Sequence, residues 1–355
     1  MRFRLRSRGR ARAAHNIHLD TSREVFNMHW IFSPVSRHPN APPSADSVQG
    51  QTCFLIGQKV LWNSSSDRNI PEMNKVSVFM RDRRHVETII KNMQRAGTST
   101  LQVISDFDMT LTRFAHNGVH CPTTHNVLHS STLISEECKT KMRDLFAHYY
   151  PIEINSSMSE EEKIPHMVEW WTQAHDLLIQ QRIRKDQLAQ AVRNSGAMLR
   201  EGYKRFFDVL HQNSVPLLIF SAGVGDILEE VIAGHDIFHP NVRVFSNYMD
   251  YDEEGVACAF KGEMIHSFNK REGALQNTQQ FIHDRTNVLL LGDTPGDLNM
   301  ADGVQNLHNI LRIGFLNDKV DERMKQYISS YDIVLVKDET LDIPNAILNY
   351  ITARK

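Results

Sequence analysis

Six short apolar runs constrain this chain more than anything else in it: LQVIS (101–105), VPLLIFSA (215–222), VRVFSN (242–247), NVLLLGD (287–293), ILRIGFL (310–316) and YDIVLV (331–336). Each is of strand length, and most are apolar at consecutive rather than alternate positions, the look of strands buried on both faces. Helical segments such as GDILEEVI and RMKQYISS fall between the runs. The economical arrangement is a parallel sheet with helices on both faces, an α/β fold of Rossmann-like type. In open parallel sheets a ligand lies beyond the carboxyl ends of the strands. Three runs end in SDFD, FSAG and LGDTPGD, so those polar ends predict one shared site.

Between the first and second runs, about a hundred residues carry no comparable strand. Ser135 before Glu136 and Glu137, and Ser159 before Glu160 to Glu162, have the form of capped helix starts with acid in the first turn. A helical insertion above the strand ends is expected. Ahead of the first run, Val86, Ile89, Ile90 and Met93 recur at helical spacing and Gly97 is a natural stop. The expected division is a leader over 1–70, a catalytic core over 71–112 and 201–355, and a helical cap over 113–200.

Charge is unevenly spread. Residues 1–70 hold ten Lys/Arg against four Asp/Glu, while the whole chain has 40 against 42, which leaves 30 against 38, a balance of −8, for 71–355. The basic start, MRFRLRSRGRAR, followed by SRHPNAPPSADSVQGQ, reads as a disordered leader. The acidic remainder argues against polymeric nucleic acid as a partner. No window approaches the roughly 18 uninterrupted apolar residues of a membrane span. Cys53, Cys121, Cys138 and Cys258 are scattered without a CxxC pair, which suggests neither disulfides nor a zinc site. Cys121 and Cys138 read as small apolar fillers. His166 and His175, nine apart without a clear ligand partner, read as helix-surface residues.

Asp106, Asp108 and Thr110 form D-x-D-x-T at the end of the first run. A lone aspartate there is ordinarily a turn residue. Here a second acidic strand end supplies Asp293 and Asp297. Four carboxylates converging in a low-dielectric cleft repel strongly unless a cation joins them. A hard divalent ion such as magnesium (Mg2+), held by one or two carboxylates plus substrate phosphate oxygens, resolves that.

DFDMTLT, FSAG, a downstream lysine and GDTPGD together resemble the four motifs of the haloacid dehalogenase superfamily of phosphotransferases, and the helical insertion resembles its C1-type cap. YYPIEIN, PHMVEWWTQAH, FSAGVGDILEEVI, NVLLLGDTPGDLNMADG and YDIVLVKDETLD extend the resemblance to the cytosolic 5′-nucleotidase III family over roughly residues 72–352. The resemblance implies a magnesium-dependent, cytoplasmic phosphatase of nucleoside monophosphates; a monomer with no membrane partner is expected. In it, Asp106 is the nucleophile that becomes an aspartyl phosphate. Asp108 protonates the leaving oxygen and then activates water, while its backbone carbonyl reaches the metal. Asp293 completes the metal site with Asp297 in support. Ser221 and the backbone at Ala222 and Gly223 hold phosphate oxygens near a helix N-terminus. Thr110 orients the phosphate or its loop, or caps a helix. A lysine must neutralise developing charge; spacing alone does not choose it, and the resemblance selects Lys270 in HSFNK.

The cap motif is Glu169-Trp170-Trp171, where the pyrimidine-preferring branch has Glu-Trp-Tyr. That resembles the branch specific for 7-methylguanosine phosphate. N7-methylguanine is cationic, and a cation over a desolvated indole gains on the order of 1–2 kcal/mol. The resemblance makes Trp171 that platform and Trp170 a core residue, where consecutive helical positions alone leave the two exchangeable. It also implies that Glu153 accepts hydrogen bonds from the guanine edge and that Asn126 and Ala174 line the base pocket. The expected substrate is 7-methyl-GMP, with CMP also used. The alternatives are a pyrimidine-preferring 5′-nucleotidase, a phosphoserine phosphatase-like enzyme, and a non-catalytic binder of methylated cap nucleotides.

Overall fold

The computed structural model describes residues 70–155, 157–271 and 282–353. The basic leader expected over 1–70 lies, but for Ile70, outside the described residues. All six apolar runs enter one seven-stranded sheet. Its strands are β1 (Val78–Phe79), β2 (Leu101–Ser105), β5 (Leu217–Val224), β6 (Val242–Asn247), β9 (Asn287–Gly292), β10 (Asn309–Leu316) and β11 (Ile333–Val336), in the order β1-β11-β10-β9-β2-β5-β6. Every pairing is parallel except that of β1, which lies antiparallel on β11 at the edge. The sequence reading did not contain β1, because two residues are too few to show a period.

Alternate residues of the central strands feed two cores. Val103, Ile219, Leu289 and Leu291 face the side covered by Ile90 and Met93 of α1 (Arg83–Ala96), Phe206 of α6 (Tyr203–Gln212) and Ile347 of α9 (Asp342–Thr352). Ile104, Leu218, Phe220 and Leu290 face Met300 and the tyrosines Tyr327 and Tyr331 at the end of α8 (Val320–Ser330). Burial on both faces is why these strands read as continuous apolar runs. Helix α1 ends as expected at Gly97, whose φ of 84° favours glycine.

The insertion carries a short hairpin, β3 (Ala115–His116) with β4 (Val119–His120), and the helices α2 (Thr124–His129), α3 (Glu136–Glu153), α4 (Glu160–Gln180) and α5 (Leu188–Ser195). Ser135 caps α3 by accepting from the Cys138 amide, and Ser159 with Glu162 forms a capping box on α4. These helices build apolar clusters of their own, one of which takes in Met249 and Ala257 from a second hairpin, β7 (Met249–Tyr251) with β8 (Ala257–Phe260). That hairpin lies in the stretch read as core and had no counterpart in the sequence reading. The two chain segments joining the insertion to the sheet run side by side: Arg113 N donates to the Met198 carbonyl at 2.8 Å and Arg200 N to that of Leu111 at 2.9 Å. No described helix is long and apolar enough to cross a membrane.

Candidate active site

Strand β2 ends in Ser105, and the chain then turns sharply. The Phe107 carbonyl accepts from the amides of both Leu111 and Thr112, and Met109 sits at φ 62°, left-handed and strained for a methionine. The turn presents Asp106 and Asp108 toward the ends of β5 and β9, where a cavity of about 260 Å³ opens. No helix begins at Thr110, so the capping alternative is corrected. Thr110 is fully buried, its hydroxyl has no partner among the described residues, and it does not line the cavity.

Lys270 Nζ lies 2.6 Å from Asp106 Oδ1 and 3.1 Å from Asp297 Oδ1, with all three groups buried. Burial works against the Lys270 charge, but Asp106 and Asp297 outweigh it and hold the amine above its ordinary value. Burial pushes Asp106 up to about 7, only partly offset by Lys270. Desolvation also raises Asp108, to about 6, against two hydrogen bonds that favour its charged form. Those come from Thr124, whose amide donates to Asp108 Oδ1 at 2.9 Å and whose hydroxyl donates to Oδ2 at 2.7 Å. Val224 N donates in turn to the Thr124 hydroxyl at 3.3 Å, so the start of α2 is tied to the end of β5. Sequence reasoning missed Thr124, whose partner lies 16 residues away. Gly223 leaves room for this contact, since a Cβ there would stand 2.0 Å from the Thr124 hydroxyl oxygen. The Ser221 hydroxyl accepts from Gly223 N at 3.0 Å, and Ser221, Ala222 and Gly223 all line the cavity.

Three carboxylates, Asp106, Asp293 and Asp297, bring an oxygen each within 4.8 Å of the others. Burial, then the charges of Asp106 and Asp297, hold Asp293 well above the usual carboxylate range. One lysine cannot neutralise three acids, so the donor set suits a hard divalent cation. Asp297 is already engaged: Oδ1 faces Lys270, and Oδ2 accepts from the Asp293 and Thr294 amides and the Thr294 hydroxyl. It therefore holds the loop and the lysine, as a supporting residue should. The Asp108 side chain is not part of this cluster.

On the insertion side the cavity is lined by Asn126, Trp171 and Ala174, as expected, and by Trp170 and His125, which were not. His125 packs tilted against Trp171, ring centroids 4.6 Å apart, and burial drives its pKa down to about 3, so the ring is neutral. Trp170 both lines the cavity and packs among Phe146, Tyr149, Met167 and Phe268, so it faces core and cavity alike. His175 is buried rather than on the helix surface: it stacks on Phe260 of β8 at 3.7 Å, and that hairpin is what the sequence reading lacked. Cys121 and Cys138 are buried. Glu153 does not line the cavity directly; it sits behind Ser267, whose hydroxyl donates to it, and burial raises its pKa.

Comparison with known proteins is consistent along the chain. Residues 109–352 match the model of the family described as pyrimidine 5′-nucleotidase (UMPH-1). The mouse and human proteins named 7-methylguanosine phosphate-specific 5′-nucleotidase are each 55% identical over 284 residues, covering 79% of this chain and 95% of theirs. A solved structure of cytosolic 5′-nucleotidase IIIB bound to cytidine superposes with a TM-score of 0.71 at 33% identity, covering 79% of this chain and 96% of that one.

Proposed function

Since the chain belongs to the pyrimidine 5′-nucleotidase family and is thus a phosphoric monoester hydrolase, we propose that it hydrolyses 7-methyl-GMP, and CMP less efficiently, in a magnesium-dependent reaction through an aspartyl phosphate on Asp106. One observation carries the reading. A single cavity runs from the Asp106–Lys270 pair at the strand ends to Trp171 in the insertion, which supports separate, connected places for phosphate and base. The relatives' names support the methylated substrate, and the tryptophan gives a physical reason for it.

The steps follow from the residues. Asp106 attacks phosphorus, and as the ester P–O bond breaks Asp108 gives its proton to the departing O5′ of the nucleoside. Desolvation that raises the carboxyl to about 6 brings it close enough to neutral pH that a fraction of the molecules carries the proton and the group also releases it readily. After the nucleoside leaves, Asp108 takes a proton from water, which attacks the phosphorus of the aspartyl phosphate and frees Asp106 and inorganic phosphate. Thr124 fixes which way the Asp108 carboxyl points. Lys270 offsets charge on the transferred group, with Ser221 and the amides at 222–223 holding its oxygens. Asp106 and Asp293, with the Asp108 carbonyl, would hold the magnesium ion, which supplies positive charge to the phosphoryl oxygens. The division of the chain into a core over 71–112 and 201–355 and a cap over 113–200 belongs to the same proposal: the core does the chemistry and the cap selects the base. We place the enzyme in the cytosol as a monomer.

Magnesium-dependent phosphate release from 7-methyl-GMP, tested with the full chain and with Asp106→Asn, checks the proposal. Turnover by the first and none by the second is expected; near-equal turnover by both contradicts it.

A further inference from the structure

Arg200 has a setting that the steps above leave unexplained. Its side chain is entirely buried, yet its nearest carboxylate oxygen, on Glu339, stands 3.4 Å away. The guanidinium instead spends its donors on neutral oxygens: Nε on the Thr110 carbonyl at 2.7 Å, Nη2 on the Met109 carbonyl at 2.6 Å and Asn317 Oδ1 at 2.8 Å, and Nη1 on the Asp338 carbonyl. Its flat face covers the Phe315 ring at 4.2 Å. Asn317 adds a second donor to the Met109 carbonyl at 3.0 Å.

Two of these carbonyls belong to the turn that follows Asp108, and one is that of Met109, the residue in the left-handed conformation. A non-glycine residue keeps such a conformation only where its surroundings over-determine it. Arg200 is also the point where the insertion rejoins the sheet, through its amide on the Leu111 carbonyl. Glu339 completes the junction by accepting from the amides of Phe114 and Ala115 on the outgoing segment.

We propose that Arg200 is a positioning residue: its guanidinium fixes the turn that follows Asp108 and so aims the Asp108 carboxyl, and it ties that turn to the junction from which the insertion hangs. This rests on the reading of Asp106 as nucleophile and Asp108 as proton carrier. A lysine keeps the charge but cannot span several carbonyls in a plane.

The test compares the unaltered full chain with Arg200→Lys and Arg200→Met in magnesium, with melting temperature measured alongside. The substrates are 7-methyl-GMP, whose alkoxide needs a proton to leave, and p-nitrophenyl phosphate, whose phenolate leaves without one. Arg200→Lys is expected to lower kcat on 7-methyl-GMP about 30- to 100-fold, as a misplacement of about 1 Å would, with KM within about threefold. The loss on p-nitrophenyl phosphate should be clearly smaller. Arg200→Lys serves as the reporter if Arg200→Met does not fold. A kcat within about threefold of the unaltered chain, or equal losses on both substrates, overturns the positioning role. No phosphate release from any nucleotide by the unaltered chain overturns the functional reading, and the role of Arg200 with it.

Discussion

At the strand-end side of the cavity, Asp106, Asp108, Asp297 and Lys270 engage one another and the neighbouring loops through contacts of 2.6 to 3.1 Å. At the insertion side, His125 Nε2, Asn126 Oδ1 and Trp171 Nε1 are buried without a hydrogen-bond partner among the described residues. Buried polar atoms are nearly always paired, because an unmade hydrogen bond costs roughly 1–3 kcal/mol. The contrast separates two tasks. The groups that the proposed mechanism assigns to chemistry are held by the protein's own contacts, whereas several polar atoms on the tryptophan side of the cavity are left for a ligand to complete.

The largest effects should come from the preformed side. Asp106→Asn is expected to lower kcat on the order of 10⁴-fold or more, since it removes the nucleophile; a loss below tenfold would break the contrast at its strongest point. Lys270→Met should cost kcat about 10²- to 10³-fold by leaving the phosphoryl charge unbalanced. Phosphate release under saturating nucleotide measures both. The open side should respond differently. Trp171→Ala is expected to raise KM for 7-methyl-GMP about tenfold with kcat nearly unchanged, the signature of a lost binding contact. A fall in kcat with KM intact would show that the tryptophan belongs to the chemistry instead.

The smallest effect concerns pH. Burial lowers His175 to about 4, so it is neutral in the folded protein, whereas the unfolded chain takes up a proton below about 6.5. Stability from this group is complete above that pH and is lost as pH falls from about 6.5 toward 4. His175→Phe keeps a ring against Phe260 and removes the titration. Thermal or urea unfolding should then lose stability less steeply with acid, by at most about 1.4 kcal/mol per pH unit. An unchanged slope would mean that the imidazole is not held neutral.

Much of this was legible because the signals are local. LQVIS and VRVFSN are β2 and β6 residue for residue; β2 is buried throughout, as its apolar run requires, whereas β6 lies at the sheet edge with Arg243 exposed. Ser135 and Ser159 mark helix starts because a cap bonds three residues ahead. Asp106, Ser221, Lys270 and Asp293 line one cavity, as strand ends that carry polar groups in a parallel sheet allow. What escaped depends on distant partners. Thr124 gains meaning from Asp108, Arg200 from carbonyls about 90 residues earlier in the chain, and His175 from a hairpin whose strands are too short to announce themselves. Thr110 shows the converse: its place in D-x-D-x-T suggested phosphate contact or a cap, but the turn faces it away from the cavity.

The most direct test of the division between preformed chemistry and ligand-completed recognition is kcat/KM for phosphate release across 7-methyl-GMP, GMP, CMP and UMP with the full chain in magnesium. The account predicts that 7-methyl-GMP leads GMP by about tenfold, through KM, as a cation over the indole face would give, with CMP also turned over. Equal values for 7-methyl-GMP and GMP, or a difference carried by kcat alone, would contradict it.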